Sequence, residues 1–327
     1  MGWFVVRALF EKGMRMRVIN LVAAVAGVTA CMLAWPAAAV DWAKVPGRDV
    51  VLLYPGQTSW EWNLTEADHS AAKKFKEGKN CIACHKGEEK TQGDLMVSGK
   101  KAEPTPIAGF PGHVVANVKF AYDAQRFYVR MDFKEPPSPD AKMDAESATK
   151  AGIIFNDAGV NEGVRAGCWA SCHEDNSSMP AANGSDRSKY LMRTRVKLGR
   201  QGGGDALKPA EDLAKLMEAG YVQEWWQAKL VPGAKAKTSG GIIFDKREDL
   251  KPAIITSEAT FANGIWSVVM SRPLDAPAPY RPLVTGKTYT VGFGIHVGHS
   301  AKRFHHTSYE YTFALGSGEA DFIAAKQ

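Results

Sequence analysis

Nine short runs of apolar or alternating residues, at 50–54, 114–122, 127–133, 152–155, 189–196, 254–261, 265–271, 288–296 and 308–315, most limit what this chain can fold into. They are rich in β-branched and aromatic residues. "FYVRMDF" (127–133) and "GIWSVVMSRPL" (264–274) alternate with a period of two, which predicts strands with one face on a core and the other wet. Turn residues at 123–125 and 136–139 separate the runs, and Asn263-Gly264 predicts a tight hairpin. Helical pattern is scarcer, at 67–76 and at 209–230, where Leu213, Leu216, Met217, Val222, Trp225 and Trp226 carry it and Gly220 is a break point. Stretches 86–112, 197–208 and 231–241 are polar and read as loops. The expected fold is mainly β, a β-sandwich with loop and helix insertions.

Cysteine placement supplies the chemistry. Cys81-Ile82-Ala83-Cys84-His85 is the C-x-x-C-H pattern of covalent haem attachment, in which two thiols form thioethers with the haem vinyl groups and the histidine becomes an axial iron ligand. A zinc ribbon would need a second such pair and a thioredoxin-like motif a βαβ setting, and neither is found. A second cluster, Cys168-Trp169-Ala170-Ser171-Cys172-His173, has one residue too many between its cysteines. On a helix that spacing still places Cys168 and Cys172 on one face, so a second c-type haem is expected. A Cys168–Cys172 disulfide and a metal site of Cys168, Cys172 and His173 remain as alternatives, although a disulfide leaves His173 without a role.

Covalent haem attachment in bacteria requires export, and the N-terminus has the form of a signal peptide. Arg7, Lys12, Arg15 and Arg17 precede an apolar run at 18–35, and Ala37-Ala38-Ala39 is a small-residue cleavage site. Residues 1–39 are therefore expected to be removed, leaving 40–327 as a single haem-binding domain in the periplasm, with a c-type haem insertion at about 64–112. Two alternatives are lipidation of Cys31 and retention of the apolar run as an anchor. Without its leader the chain has 37 basic against 34 acidic residues, too slight an excess to suggest nucleic acid.

Six histidines outside the two motifs compete with methionines for the sixth ligand positions. His69 is the choice for the first haem, with His113 and Met96 as alternatives. For the second it is His305, with His296, His299 and Met179 as alternatives, because His306 would point to the opposite face of a strand. Lys302 and Arg303 are candidate partners for haem propionates or members of a solvated turn. Trp169 is expected to pack on the porphyrin or the core. No nucleotide-binding loop, hydrolase motif or carboxylate pair assigns a catalytic residue.

"VVLLYPGQTSWEW" (50–62), "VKFAYDAQRFYVRMDF" (118–133), "GIWSVVMSRPL" and "GIHVGHSAKRFHHTSYEYTFAL" (294–315) resemble the ethylbenzene dehydrogenase-related family, the cytochrome c-552/dimethylsulfoxide reductase-like haem-binding domain, over most of residues 45–318. The resemblance implies a β-sandwich holding haem between loops at one end, and a role in electron transfer. Gamma subunits of molybdenum enzymes in this group hold a non-covalent b-type haem through methionine and lysine. This chain departs from them, with two cysteine–histidine motifs and with His305-His306 about where the ligand lysine is expected, and so resembles a c-type dihaem branch. The expected function is electron transfer between a membrane quinol-oxidising cytochrome or another carrier and a terminal reductase. The alternatives are a haem enzyme reducing a small oxidant at an open site, and the electron-transfer subunit of a molybdenum oxidoreductase.

Overall fold

The computed structural model describes residues 40–171, 191–196 and 206–327. In chain order come β1 (Gly47–Leu53), four short helices α1 (Trp60–Asn63), α2 (Ala72–Lys76), α3 (Cys81–His85) and α4 (Glu89–Val97), then β2 (His113–Tyr122), β3 (Arg126–Lys134), β4 (Thr149–Asn156) and α5 (Asn161–Ala166). A 3-10 turn, Gly167–Ala170, follows α5, and after it come α6 (Ala210–Glu218), β5 (Gln223–Leu230), β6 (Lys237–Ile243), β7 (Arg247–Asp249), β8 (Thr256–Ala262) and β9 (Ile265–Pro273). The chain ends with β10 (Thr288–His296), β11 (His306–Thr307), β12 (Tyr311–Leu315) and β13 (Phe322–Lys326).

The strand order is β7-β6-β5-β4-β10-β11-β1-β2-β3-β9-β8, and two strands share their ladders. β10 pairs with β12 through Thr288–Val291 and with β11 through Gly294 and Ile295. β2 pairs with β1 along Gly47–Leu53 and, at Ala121 and Tyr122, with β13 in parallel. Splitting two ladders folds the strands into a sandwich around an aromatic core. Phe313 sits near its middle, stacked on Phe120 at 5.1 Å and Phe127 at 5.0 Å and meeting Phe155 edge-on at 5.8 Å. The alternating runs lie where their period places them: β3 buries every second residue, and Asn263 and Gly264 turn between Ala262 and Ile265 at positive φ.

Four expectations give way. The helix expected over 209–230 stops at Glu218, and its second half is β5, a strand between β4 and β6 buried on nearly every residue. A short apolar run covered on both faces has no alternation to distinguish it from helix. β6 begins inside the stretch read as loop at 231–241, and α4 lies within 86–112. In the run read as a strand at 189–196, Met192–Thr194 forms a 3-10 turn, closed by Thr194 Oγ1 donating to the Leu191 carbonyl. No helix among the described residues is long and apolar enough to cross a membrane.

Candidate functional site

α3 sets Cys81, Cys84 and His85 on the wall of a cavity of about 350 Å3. Glu310 reaches in from the chain before β12 and accepts the Ile82 N–H at 2.9 Å, tying this turn to the sheet. The His85 ring is held through Nδ1, 2.9 Å from Glu88 Oε2 and 2.7 Å from Gln92 Nε2, so Nε2 is the nitrogen left for a ligand. His69 faces it, with ring centroids 6.1 Å apart and Nδ1 3.0 Å from the Asn63 carbonyl. Metal–imidazole bonds run about 2.0–2.1 Å, so two rings at this spacing suit opposite sides of one metal. Trp62 stacks on His69 at 5.7 Å and Phe75 meets its edge at 6.2 Å, giving the cavity aromatic walls. Met96 also lines this cavity, whereas His113, 3.3 Å from Asp94 Oδ1, does not.

Cys168 lines a second cavity, of about 370 Å3, together with His296, His305, Ile154, Trp225 and Trp226. The 3-10 turn presses Cys168 so close to β10 that a Cβ on Gly292 would lie 2.6 Å from its Sγ. His296 and His305 stack at 5.0 Å and 25°, side by side rather than opposed across a metal. His305 Nδ1 is 2.8 Å from the Lys302 carbonyl, and desolvation, with the charges of Lys150 and Arg247 adding to it, pushes its pKa down to about 4. A neutral imidazole is the ligating form. Cys172, His173 and Met179 lie outside the described residues. His306 points to the other face, stacked on Phe110 at 5.2 Å with Nε2 2.7 Å from the Pro111 carbonyl. His299 Nδ1 is 2.8 Å from the Asp144 carbonyl, and His299 lines neither cavity.

An aromatic wall of the first cavity abuts the turn that carries Cys168. Tyr309 stacks on His85 at 5.9 Å and on Trp169 at 5.5 Å, its hydroxyl donates to Gln92 Oε1, and Trp169 Nε1 donates to Thr58 Oγ1 at 3.0 Å. Trp169 lines the first cavity, and the residue before it, Cys168, lines the second.

Residues 186–308 match the family described as ethylbenzene dehydrogenase. Cytochrome c-552 of Stutzerimonas stutzeri is 31% identical over 296 residues, 90% of this chain and 93% of that protein. The chain belongs to the ethylbenzene dehydrogenase-related family. Cytochrome c-551 of Rhodocyclus tenuis is 29% identical, over 88% of this chain and all of that protein. A family 9 carbohydrate-binding module from Caldicellulosiruptor kristjanssonii is similar over 60% of this chain and 65% of its own, at 9% identity and a TM-score of 0.29, too loose a likeness to carry an argument.

Within this ethylbenzene dehydrogenase-related chain, several residues of both cavities had no local signal in the sequence. Tyr309 and Glu310 fell in a run legible only as a strand, yet both are buried beside α3. Burial pushes the Glu310 carboxyl up to about 7 and, with the Glu310 charge behind it, raises the Cys81 thiol well above its usual range. Burial likewise lifts Cys168 to about 11, so neither thiol is the ready thiolate of a redox-exchange site. Lys150, Lys229 and Arg247 come from three strands into the second cavity. Arg303 is neither solvated nor turned to a cavity carboxylate: it is buried, with Nε and Nη2 each donating to Glu103 at 3.1 Å and Nη2 to Thr105 Oγ1 at 2.7 Å. Lys302 is exposed at the mouth of the second cavity.

Proposed function

We propose that this chain is an exported, periplasmic dihaem c-type cytochrome that carries electrons between a membrane quinol-oxidising cytochrome, or another carrier, and a terminal reductase. The observation that carries this reading is His69 facing His85 at 6.1 Å in the cavity that also holds Cys81 and Cys84. A haem bound there supplies a one-electron couple. The chain's part is to hold the haem and keep water from it: Cys81 and Cys84 tether it, His85 and His69 ligate it, and Trp62, Phe75 and Tyr309 close the walls. The second cavity matches the first in size and places Cys168 beside His296 and His305. With Cys172 and His173 completing the attachment, it takes the second haem, with His305 as the other ligand.

The test is the intact mass of the mature protein under denaturing, reducing conditions, with a pyridine haemochrome count. A mass two haems above a polypeptide starting near Val40 is expected. A gain of one haem would return Cys168 and Cys172 to a disulfide or metal role, and no gain would end the c-type reading. His69→Ala should shift the first haem's spectrum towards five-coordination or a replacement ligand while leaving the mass unchanged; an unaltered spectrum would remove His69 from the ligand set.

A further inference from the structure

The two partners at His85 Nδ1 make opposite demands on one ring nitrogen. A neutral imidazole that ligates through Nε2 carries its proton on Nδ1, so Nδ1 donates one hydrogen bond and accepts none. The Glu88 carboxylate, 2.9 Å away, only accepts, whereas the Gln92 Nε2 amide at 2.7 Å only donates. Turning the Gln92 amide over would set its oxygen against Glu88 Oε2, to which Nε2 donates at 3.0 Å, and would take the acceptor Oε1 away from the Tyr309 hydroxyl. Glu88 is therefore the acceptor of the His85 proton, and Gln92 steadies that carboxylate from the side of Tyr309. Glu88 is the N-cap of α4, which also carries Gln92. A Cβ on the next residue, Gly93, would collide with the Gly112 carbonyl oxygen, so the helix lies directly on the backbone before β2. Tyr309 is buried and stacked on the His85 ring, which fixes the other end of the chain of bonds.

We infer that Glu88 is a positioning residue of the first site: it fixes the His85 ring, draws negative charge onto it, and holds an iron bound there at a lower potential than a neutral partner would. The inference rests on the c-type reading of Cys81, Cys84 and His85 above and needs nothing from the second cavity. A ring that shares its Nδ1 proton with a carboxylate is a stronger donor at Nε2, which favours the oxidised iron over the reduced one. Reduction adds one electron from a reduced carrier outside the chain, with no bond broken and the proton left on Nδ1. The Glu88 side chain is 56% exposed, so water screens part of the effect and keeps it moderate.

The experiment is a spectroelectrochemical titration of the purified holoprotein, with electron paramagnetic resonance of its oxidised form, on the unaltered chain, Glu88→Gln and Glu77→Gln, and with haem content checked by mass. Glu88→Gln keeps an acceptor within reach of Nδ1 but removes its charge. The ratio of reduced to oxidised first haem at a fixed applied potential should rise about threefold to tenfold, and the low-spin signal of that haem should shift. Glu77→Gln removes an exposed carboxylate at the end of α2 and should leave both readouts nearly unchanged. The wave that moves should belong to the haem whose spectrum His69→Ala alters. No rise, an unshifted signal, an equal rise in Glu77→Gln, or a rise confined to another haem would overturn the inference. A contact that only stabilised the fold would lower the denaturation midpoint and leave the potential where it was. Absence of covalent haem from the unaltered protein would mark the failure of the c-type reading itself.

Discussion

The two cavities are built by opposite routes. In the first, His69, Cys81, Cys84 and His85 come from one stretch of fewer than twenty residues, folded into short helices between β1 and β2. In the second, Cys168 sits on a turn after α5, Lys150 on β4, Trp225, Trp226 and Lys229 on β5, His296 on β10 and His305 beside β11. One site is local and the other belongs to the sheet, so damage to the sheet should reach the second site first. The exception is the turn at 168–169, where Trp169 lines the first cavity and Cys168 the second.

That exception gives the largest expected effect. Trp169→Ala removes a buried ring that stacks on Tyr309 and lines the first cavity, at a cost of about 3–5 kcal/mol. It should lower the denaturation midpoint and, on the dihaem reading proposed above, perturb the spectra of both sites, the first by opening its wall and the second by loosening the turn that carries Cys168; a change at the first site alone would show that the turn holds without the ring. Gly292→Ala sharpens the contrast. Its new Cβ meets Cys168 Sγ on one side, so the 3-10 turn must shift, at about 1–3 kcal/mol. On the dihaem reading, the spectrum of a haem in the second cavity should change and that of the first should not. Equal change at both would mean that the cavities are mechanically one.

The smallest effect is a pH dependence belonging to the first site. Glu310 titrates near 7 in the fold against 4.5 for an ordinary glutamate, so the folded state holds a proton that the unfolded chain has lost between those values. Stability should therefore fall as pH rises from about 4.5 to about 7 and change little from this group on either side. Glu310→Gln should flatten that slope in unfolding curves taken across the window. An unchanged slope would assign it to other groups.

What could be read along the chain followed the same division. Period-two alternation marked β3 and β9, and Asn263-Gly264 marked the hairpin between β8 and β9, because each signal is complete within a few adjacent residues. β5 was hidden because it is covered on both faces, which erases alternation. The same holds for the sites. Cys81, Cys84 and His85 announce themselves by spacing, and His69 lies close enough in sequence to be guessed. The second cavity mixed the two cases: Cys168 and His305 stood out locally, but nothing near Lys229 or Arg247 pointed to them.

The sequence by itself determined the attachment chemistry and the mainly β character, since thiol spacing and side-chain alternation are properties of neighbouring residues. The tertiary structure alone decided that Tyr309 and Trp169 stack along the first cavity while Cys168 lines the second, that Arg303 turns inward to Glu103, and that Lys150, Lys229, Arg247 and Lys302 line one cavity with His305. Those facts depend on which strands lie side by side, and strand pairing is settled by the burial of the whole aromatic core.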